Sequence, residues 1–198
     1  MPSLYDVKPA FVRLLTPLVD LCARRGVTPN AVTVAALVLS LLGGGLLWAF
    51  PRERGVLAAV ALVLLVRMAL NAMDGNLARR TGQTTRLGEV LNEGGDVVAD
   101  AALSLPLLGV TVAPSLLVFL FVLLACWTEL AGLLPRLAGG ERRYDGPLGK
   151  SDRALLVGLF LVAAAAGAPQ GRWEAWAFGA ADLLLALTCA NRLRRGLA

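Results

Sequence analysis

Apolar residues run almost unbroken along most of this chain, and the breaks between runs are short and basic. Six stretches stand out: Ala31–Phe50, Val56–Ala78, Gly88–Val110, Ala113–Leu134, Arg153–Ala168 and Trp173–Leu193. Each approaches the roughly 20 residues that carry a helix across hydrocarbon. The third is the weakest, because its first half is polar. Ahead of them the period changes. From Asp6 to Arg25 the apolar residues Phe11, Leu14, Leu15, Leu18, Val19 and Cys22 return at helical spacing on one face, which predicts an amphipathic helix lying flat at a membrane surface. Pro29 and Asn30 then mark a break, with Asn30 expected to cap the next helix. The predicted fold is all-α: a polytopic membrane protein of one domain, residues 1–198. An interfacial helix occupies residues 1–28 and a bundle of six transmembrane helices occupies residues 29–198.

Composition agrees with a membrane protein: 57% of residues are hydrophobic and the mean hydropathy is +0.69. The charge distribution adds orientation. Of 19 Lys and Arg residues, fifteen fall in the N-terminal segment, the second and fourth connections and the C-terminus. The opposite side holds only Arg52, Arg54 and Arg172, and Arg67 sits alone inside the second stretch. By the positive-inside rule both termini face the cytoplasm, in a bacterial-type inner (plasma) membrane. This asymmetry accounts for the net charge of +5 without nucleic acid as a partner; membrane lipids are the expected surroundings. The opening residues do not read as a signal peptide, since a polar, mixed-charge start precedes the first long apolar run. Cys22, Cys126 and Cys189 are scattered through apolar sequence and read as small buried hydrophobes.

The second and third stretches carry polar residues that a purely structural bundle would avoid. A charged residue at the centre of a membrane helix costs roughly 2.5–3.5 kcal/mol on insertion scales, so such residues mark working sites. Asn71, Asp74, Gly75 and Ala78 form one helical stripe; Glu89, Asn92, Glu93, Asp96 and Asp100 form another. The short connection between the helices makes them antiparallel neighbours whose stripes can face each other near the cytoplasmic surface. Oxygen-rich clusters of this kind suit hard cations such as Mg²⁺ or Mn²⁺. With no His and no clustered Cys, zinc is not expected. Gly75, Gly88, Gly94 and Gly95 weaken the helices and suggest close approach to another helix or a ligand. Arg79, one turn from Asp74, offers a planar fork for phosphate. Carboxylates, cation, glycines and Arg together suggest a pyrophosphate-containing substrate.

This spacing resembles the CDP-alcohol phosphotransferase family, whose signature runs D-x-x-D-G-x-x-A-R-x(8)-G-x(3)-D-x(3)-D. Here the register is Asn71, Asp74, Gly75, Ala78, Arg79, Gly88, Asn92 and Asp96, and the resemblance extends to the TPN-x-VT segment at Thr28–Thr33 and the six spans. It implies an integral membrane transferase that moves a substituted phosphoryl group from a CDP-linked donor to an alcohol and releases CMP. It further implies Asp96 as the catalytic base. Asp74, Gly75, Ala78, Arg79 and Gly88 would bind the CDP moiety, one or two Mg²⁺ or Mn²⁺ ions would be the cofactor, and a homodimer is expected.

Two positions depart from the signature: the first and third aspartates are Asn71 and Asn92. Each Asn keeps a carbonyl oxygen and loses a charge, so a second cation is expected to bind more weakly. The expected metal set is Asp74, Asp96, Asn71 and Asn92, with Glu93 and Asp100 close enough on the same helix to compensate. The loop Glu141–Ala154 supplies acceptor-side candidates in Arg142, Arg143, Lys150 and Arg153, which either grip a phosphate or meet lipid headgroups. Glu129, inside the fourth stretch, either joins the site or pairs with Arg136 or a backbone donor. The resulting expectation is a phospholipid-synthesis enzyme that joins a CDP-linked lipid, such as CDP-diacylglycerol, to a small alcohol, phosphorylated or not. Three alternatives stay open: a soluble CDP-alcohol donor with a lipid acceptor, a catalytically silent lipid-binding homologue, and a cation transporter.

Overall fold

In the computed structural model, residues 4–197 are described, with side chains from Phe11 onward. Lys8, counted among the basic N-terminal charges, therefore lies outside the described side chains. Among the described residues there are eight helices and no strands: α1 (Leu4–Arg24), α2 (Pro29–Ala49), α3 (Arg54–Thr81), α4 (Arg86–Ser104), α5 (Leu107–Val110), α6 (Ser115–Leu137), α7 (Lys150–Ala165) and α8 (Arg172–Gly196). Three of them, α2, α3 and α6, are long and apolar enough to cross a membrane by length and composition. Many of the charges on α4, α7 and α8 that lower their hydropathy are turned inward, while Arg86, Glu89, Arg172, Arg194 and Arg195 near the helix ends are exposed. Asp96, Asp100, Arg153, Glu174, Asp182 and Arg192 are all buried, whereas Val98, Leu159, Val162, Leu183 and Leu187 stand exposed on the outside.

Local chemistry sets the ends. Thr28, not Asn30, caps α2: its hydroxyl accepts from the Ala31 amide at 3.2 Å, and Pro29 takes the first helical position, where its missing N–H costs nothing. Asn30 is thereby freed to point at α4. The third apolar stretch is not one helix. The chain breaks after Ser104 at Leu105 and Pro106 and resumes as the short α5. A ring without an N–H ends the regular ladder there.

The expected apolar face of α1 divides in two. Leu15 and Val19 are buried in a cluster with Val32, Met73 and Leu77, so α1 docks on α3. Leu14 and Leu18 point away and are exposed. An interfacial helix clamped to the bundle on one side and greasy on the other presents just these two surfaces.

The larger core gathers Leu47, Val60, Leu64, Leu103, Phe121, Leu161 and Leu185 from α2, α3, α4, α6, α7 and α8. α2 acts as a wedge that packs on both α3 and α4, while those two helices hardly meet backbone to backbone. The wedge depends on small residues: Gly43 lies against Val63 and Leu103, and Gly44 lies against the Ala102 carbonyl. α6 pairs with α8 and α7 with α3. The gap left between α3 and α4 is filled by polar side chains.

The wedge gives a direct test. A methyl group at Gly44 would collide with the Ala102 backbone, whereas at Gly45 it would meet open space. Gly44→Ala is expected to destabilise by ~1–3 kcal/mol. Gly45→Ala should stay within about 0.5 kcal/mol of the parent. Thermal unfolding of the two variants in detergent checks the difference.

Candidate functional site: a carboxylate and guanidinium cluster between α3 and α4

Each polar stripe is delivered by helical geometry. On α3, Arg67, Asn71 and Asp74 lie at i, i+4 and i+7, and on α4, Asn92, Asp96 and Asp100 follow at intervals of four, so the two rows confront each other across the gap. The contacts cross it in sequence. Asn92 Nδ2 donates to Asp74 Oδ2 at 3.0 Å, and Asn71 Nδ2 donates to Asp96 Oδ1 at 3.2 Å. Arg67 reaches Asp100 Oδ1 at 2.6 Å and Asp96 Oδ1 at 3.5 Å. Both departures from the signature thus place an amide against a conserved-type carboxylate on the opposite helix.

Asp74 is held from two further directions. The Thr33 hydroxyl of α2 donates to its Oδ2 at 2.8 Å, and its own neighbour, the Gly75 amide, donates to Oδ1 at 2.6 Å. It is only 4% exposed, so without these donors it would be a stranded buried charge. Thr33 belongs to the same segment as the Thr28 cap, so that stretch both starts α2 and orients the site. Gly88 permits the approach of Asn30 to the start of α4: a Cβ there would sit 2.6 Å from Asn30 Oδ1. The other glycines behave differently. Gly94 has nothing within 4 Å, and Gly95 has only Leu37, at 3.9 Å, so neither marks a helix contact.

Asp96 stands at the centre. Besides Asn71 and Arg67 it forms an ion pair with Lys150, the first residue of α7. Behind it lies a dense cluster of charge. Arg153 donates through Nη2 to Asp100 Oδ2 and Glu129 Oε1, both at 2.7 Å, and through Nη1 to the Thr128 hydroxyl at 2.7 Å. Arg142 pairs with Glu93 and reaches Glu129 Oε2 at 3.1 Å. Arg192 of α8 lies 4.0 Å from Glu129. It also pins the connecting loop by donating to the carbonyls of Asp145 (3.2 Å) and Tyr144 (3.3 Å). Burial lowers the pKa of Arg142 from its ordinary value, and Tyr144, its ring centroid 4.5 Å away, pulls the other way. A guanidinium remains charged at neutral pH under either influence.

Several expectations are corrected by these contacts. Glu93 and Asp100 do not turn toward the Asp74–Asp96 pair as spare ligands, because arginines engage both. Glu129 pairs with Arg142 and Arg153 and not with Arg136, which meets Glu89 at the exposed edge. Arg143 turns to Asp145 at 3.0 Å, away from the cluster. Arg79 also stands apart: it donates to Asn76 at 2.9 Å and lines an open cavity of about 310 Å³ with Val12, Thr16, Val19 and Arg80. Arg67 and Arg192 carry more of the site than their sequence suggested. Arg67 could have been found, since it sits on the same stripe as Asn71 and Asp74. Arg192 could not, because it hides among the basic residues that end α8.

The donor set suits a hard cation. Among the described residues, no three His, Cys, Asp or Glu side chains form a cage by themselves. Asp74 and Asp96 offer carboxylate oxygens, and Asn71 and Asn92 each carry a carbonyl oxygen beside them. Mg²⁺ is commonly held by one or two carboxylates with the substrate's phosphates completing the shell, so the residues present fit.

Comparison with known proteins places this arrangement. A family model described as CDP-alcohol phosphatidyltransferase matches residues 26–190. The chain is 44% identical over 192 residues to the inner membrane protein YnbA of Escherichia coli, covering 97% of this chain and 95% of that one. Its fold is similar to that of Mycobacterium tuberculosis phosphatidylinositol phosphate synthase with CDP-DAG bound, with a TM-score of 0.76, 22% identity and 94% of both chains covered. The same enzyme in complex with manganese and citrate gives a TM-score of 0.75 at 21% identity, covering 92% of this chain and 88% of the other.

Arg67 offers the sharpest test of the cluster. Its guanidinium is 3% exposed and is shared by two buried carboxylates. Arg67→Ala is expected to destabilise by on the order of 3–5 kcal/mol, because it strands buried charge. Arg80→Ala, which breaks only the half-exposed pair with Asp20, should cost less than about 1 kcal/mol. Thermal unfolding in detergent checks both.

Proposed function

The chain belongs to the CDP-alcohol phosphatidyltransferase family of transferases, and from that premise we propose that it transfers a phosphatidyl group from a CDP-linked lipid to a small alcohol. The reaction takes place at the cytoplasmic side of the inner membrane. The observation that carries the reading is that Asp74 of α3 and Asp96 of α4 each accept a hydrogen bond across the gap from an amide of the opposite helix, Asn92 and Asn71. In support, the bundle closes its charges inward and turns apolar faces outward on α4, α7 and α8, as six membrane-crossing helices would. The basic ends of α3, α6 and α8 and the basic starts of α4 and α7 then share one membrane face with both termini. A homodimer is part of the proposal by family resemblance.

Asp74, Asp96, Asn71 and Asn92 would hold Mg²⁺ or Mn²⁺, which supplies charge neutralisation of the diphosphate. Gly75, Ala78, Arg79 and Gly88, on the same end of α3 and α4, provide the surface for the CDP moiety, with the Arg79 guanidinium available to a phosphate. Asp96 accepts the proton of the acceptor hydroxyl as its oxygen attacks the phosphorus that carries the lipid. The bond from that phosphorus to the bridging oxygen breaks, and CMP leaves with the electron pair. Lys150 and Arg67 orient Asp96 through ion pairs before it takes the proton. Lys150 and Arg142 place the acceptor side of the site next to Asp96.

The experiment is CMP release by the purified protein given CDP-diacylglycerol, a divalent cation and a panel of alcohols. Release is expected to need both cation and alcohol, to stop with EDTA, and to return with Mg²⁺ or Mn²⁺. Asp96→Asn should lower the rate at least ~100-fold, the scale of a lost general base, while binding of the CDP-lipid persists. Unchanged turnover in Asp96→Asn would remove the base from this position.

A further inference from the structure

Phosphate groups are gripped by free guanidinium N–H groups, and the cluster behind Asp96 has arginines in the right number but not in the right state. Arg153 spends both terminal nitrogens on Asp100, Glu129 and Thr128. Arg192 spends all three: Nε on the Asp145 carbonyl, Nη1 on the Thr128 carbonyl at 2.5 Å and Nη2 on the Tyr144 carbonyl. Arg142 divides its terminal nitrogens between Glu93 and Glu129. Glu129 is the common partner. It is 3% exposed and stands within 4.0 Å of all three guanidinium groups.

We propose that Glu129 is a built-in counter-anion that fills the arginine cluster, so that the acceptor pocket takes an uncharged polyhydroxy alcohol and rejects a phosphorylated one. The inference rests on the transferase reading and names the acceptor class for that site. Charge argues first. Across the whole network Arg67, Arg142, Lys150, Arg153 and Arg192 face Glu93, Asp96, Asp100 and Glu129, five cations against four carboxylates. A phosphate entering there would meet Glu129 at close range, with four of the five cationic charges already matched.

The unpaired atoms argue second. Arg142 Nε, Arg153 Nε and Glu93 Oε2 are buried and lack a hydrogen-bond partner. Arg142 and Glu93 are ion-paired through other atoms, so an unpaired donor and an unpaired acceptor belong to one buried pair. A hydroxyl can satisfy either, accepting from Nε–H or donating to Oε2. An ionised phosphate offers acceptors only and would face the carboxylate oxygen with nothing to give. Selectivity built on such buried donor and acceptor atoms is steep, because the wrong ligand leaves them unpaired.

Two measurements on the full-length protein in detergent test this. In the first, inorganic phosphate is titrated at constant ionic strength against chloride while the unfolding temperature is read. The parent protein is expected to move by less than about 1 °C, whereas Glu129→Gln, with the cluster vacated of its anion, should gain a saturable rise of roughly 4 °C or more. In the second, CMP release is compared for polyols supplied free and as monophosphates, such as glycerol and glycerol 3-phosphate. The free alcohols should react at least ~10-fold faster in the parent. A saturable phosphate-dependent rise in the parent, or faster turnover of the monophosphates, would overturn the proposal. If Glu129→Gln does not fold, the two arms on the parent protein decide alone. Absence of CMP release with every alcohol would sink the transferase reading, and the phosphate titration would still decide whether the cluster is open to anions.

Discussion

Arg153 is the side chain on which the rest of this structure hangs. It enters from the first turn of α7, is 3% exposed, and joins Asp100 of α4 to Glu129 and Thr128 of α6 through three contacts of 2.7 Å. Taking a guanidinium and two carboxylates out of water costs several kcal/mol per ion, and the mutual attraction offsets this only if every partner is in place. The pairing therefore sets the relative position of α4, α6 and α7 with little tolerance. Arg67 extends the same chain to α3 through Asp100. Apolar packing could bring these helices together in several registers, but the register seen is the one that brings Arg67 and Arg153 to Asp100 and Glu129.

That constraint explains why polar side chains, and not apolar ones, fill the gap between α3 and α4. α2 wedges beside both, with Gly43 and Gly44 letting their side chains and backbone come close, and the charged network ties the far ends. What remains between the two helices is a polar slot with Asp74 at one end and Asp96 toward the other. Asp96 is the point where slot and network meet. It is touched by Arg67 and Asn71 from α3 and by Lys150 from α7, so its carboxylate is oriented by both and belongs wholly to neither.

Asn71 and Asn92 fit the same logic. Four carboxylates in so narrow a slot would repel one another unless cations were always present. Two amides keep oxygen atoms available and also donate to the facing aspartates, at 3.2 and 3.0 Å. The slot is thereby cross-linked by hydrogen bonds between α3 and α4. The same neutralising tendency reappears behind Asp96, where Glu129 balances the arginines. This chain carries its counter-charges within itself.

The all-helical class, the N-terminal amphipathic helix and the stretch that carries the site were legible because they depend on local periodicity and on a fixed spacing between Asn71 and Asp96. Apolar runs and stripes survive in sequence since a helix repeats every 3.6 residues whatever surrounds it. Small local choices were less legible. Thr28 rather than Asn30 caps α2, with the Asn30 side chain set against Gly88, and Pro106 divides the third run. Partner choice was not legible at all. Glu93 and Asp100 looked like spare metal ligands, and Glu129 could have joined the site or paired with Arg136 or a backbone donor, because spacing along one helix says nothing about which arginine arrives from another. Arg192 lies 63 residues from Glu129, and only the packing of α6 on α8 brings them together. The sequence by itself determined which residues share a helical face, since that follows from chain geometry. The tertiary structure alone decided which charges neutralise one another, since burial makes that pairing a property of the whole bundle.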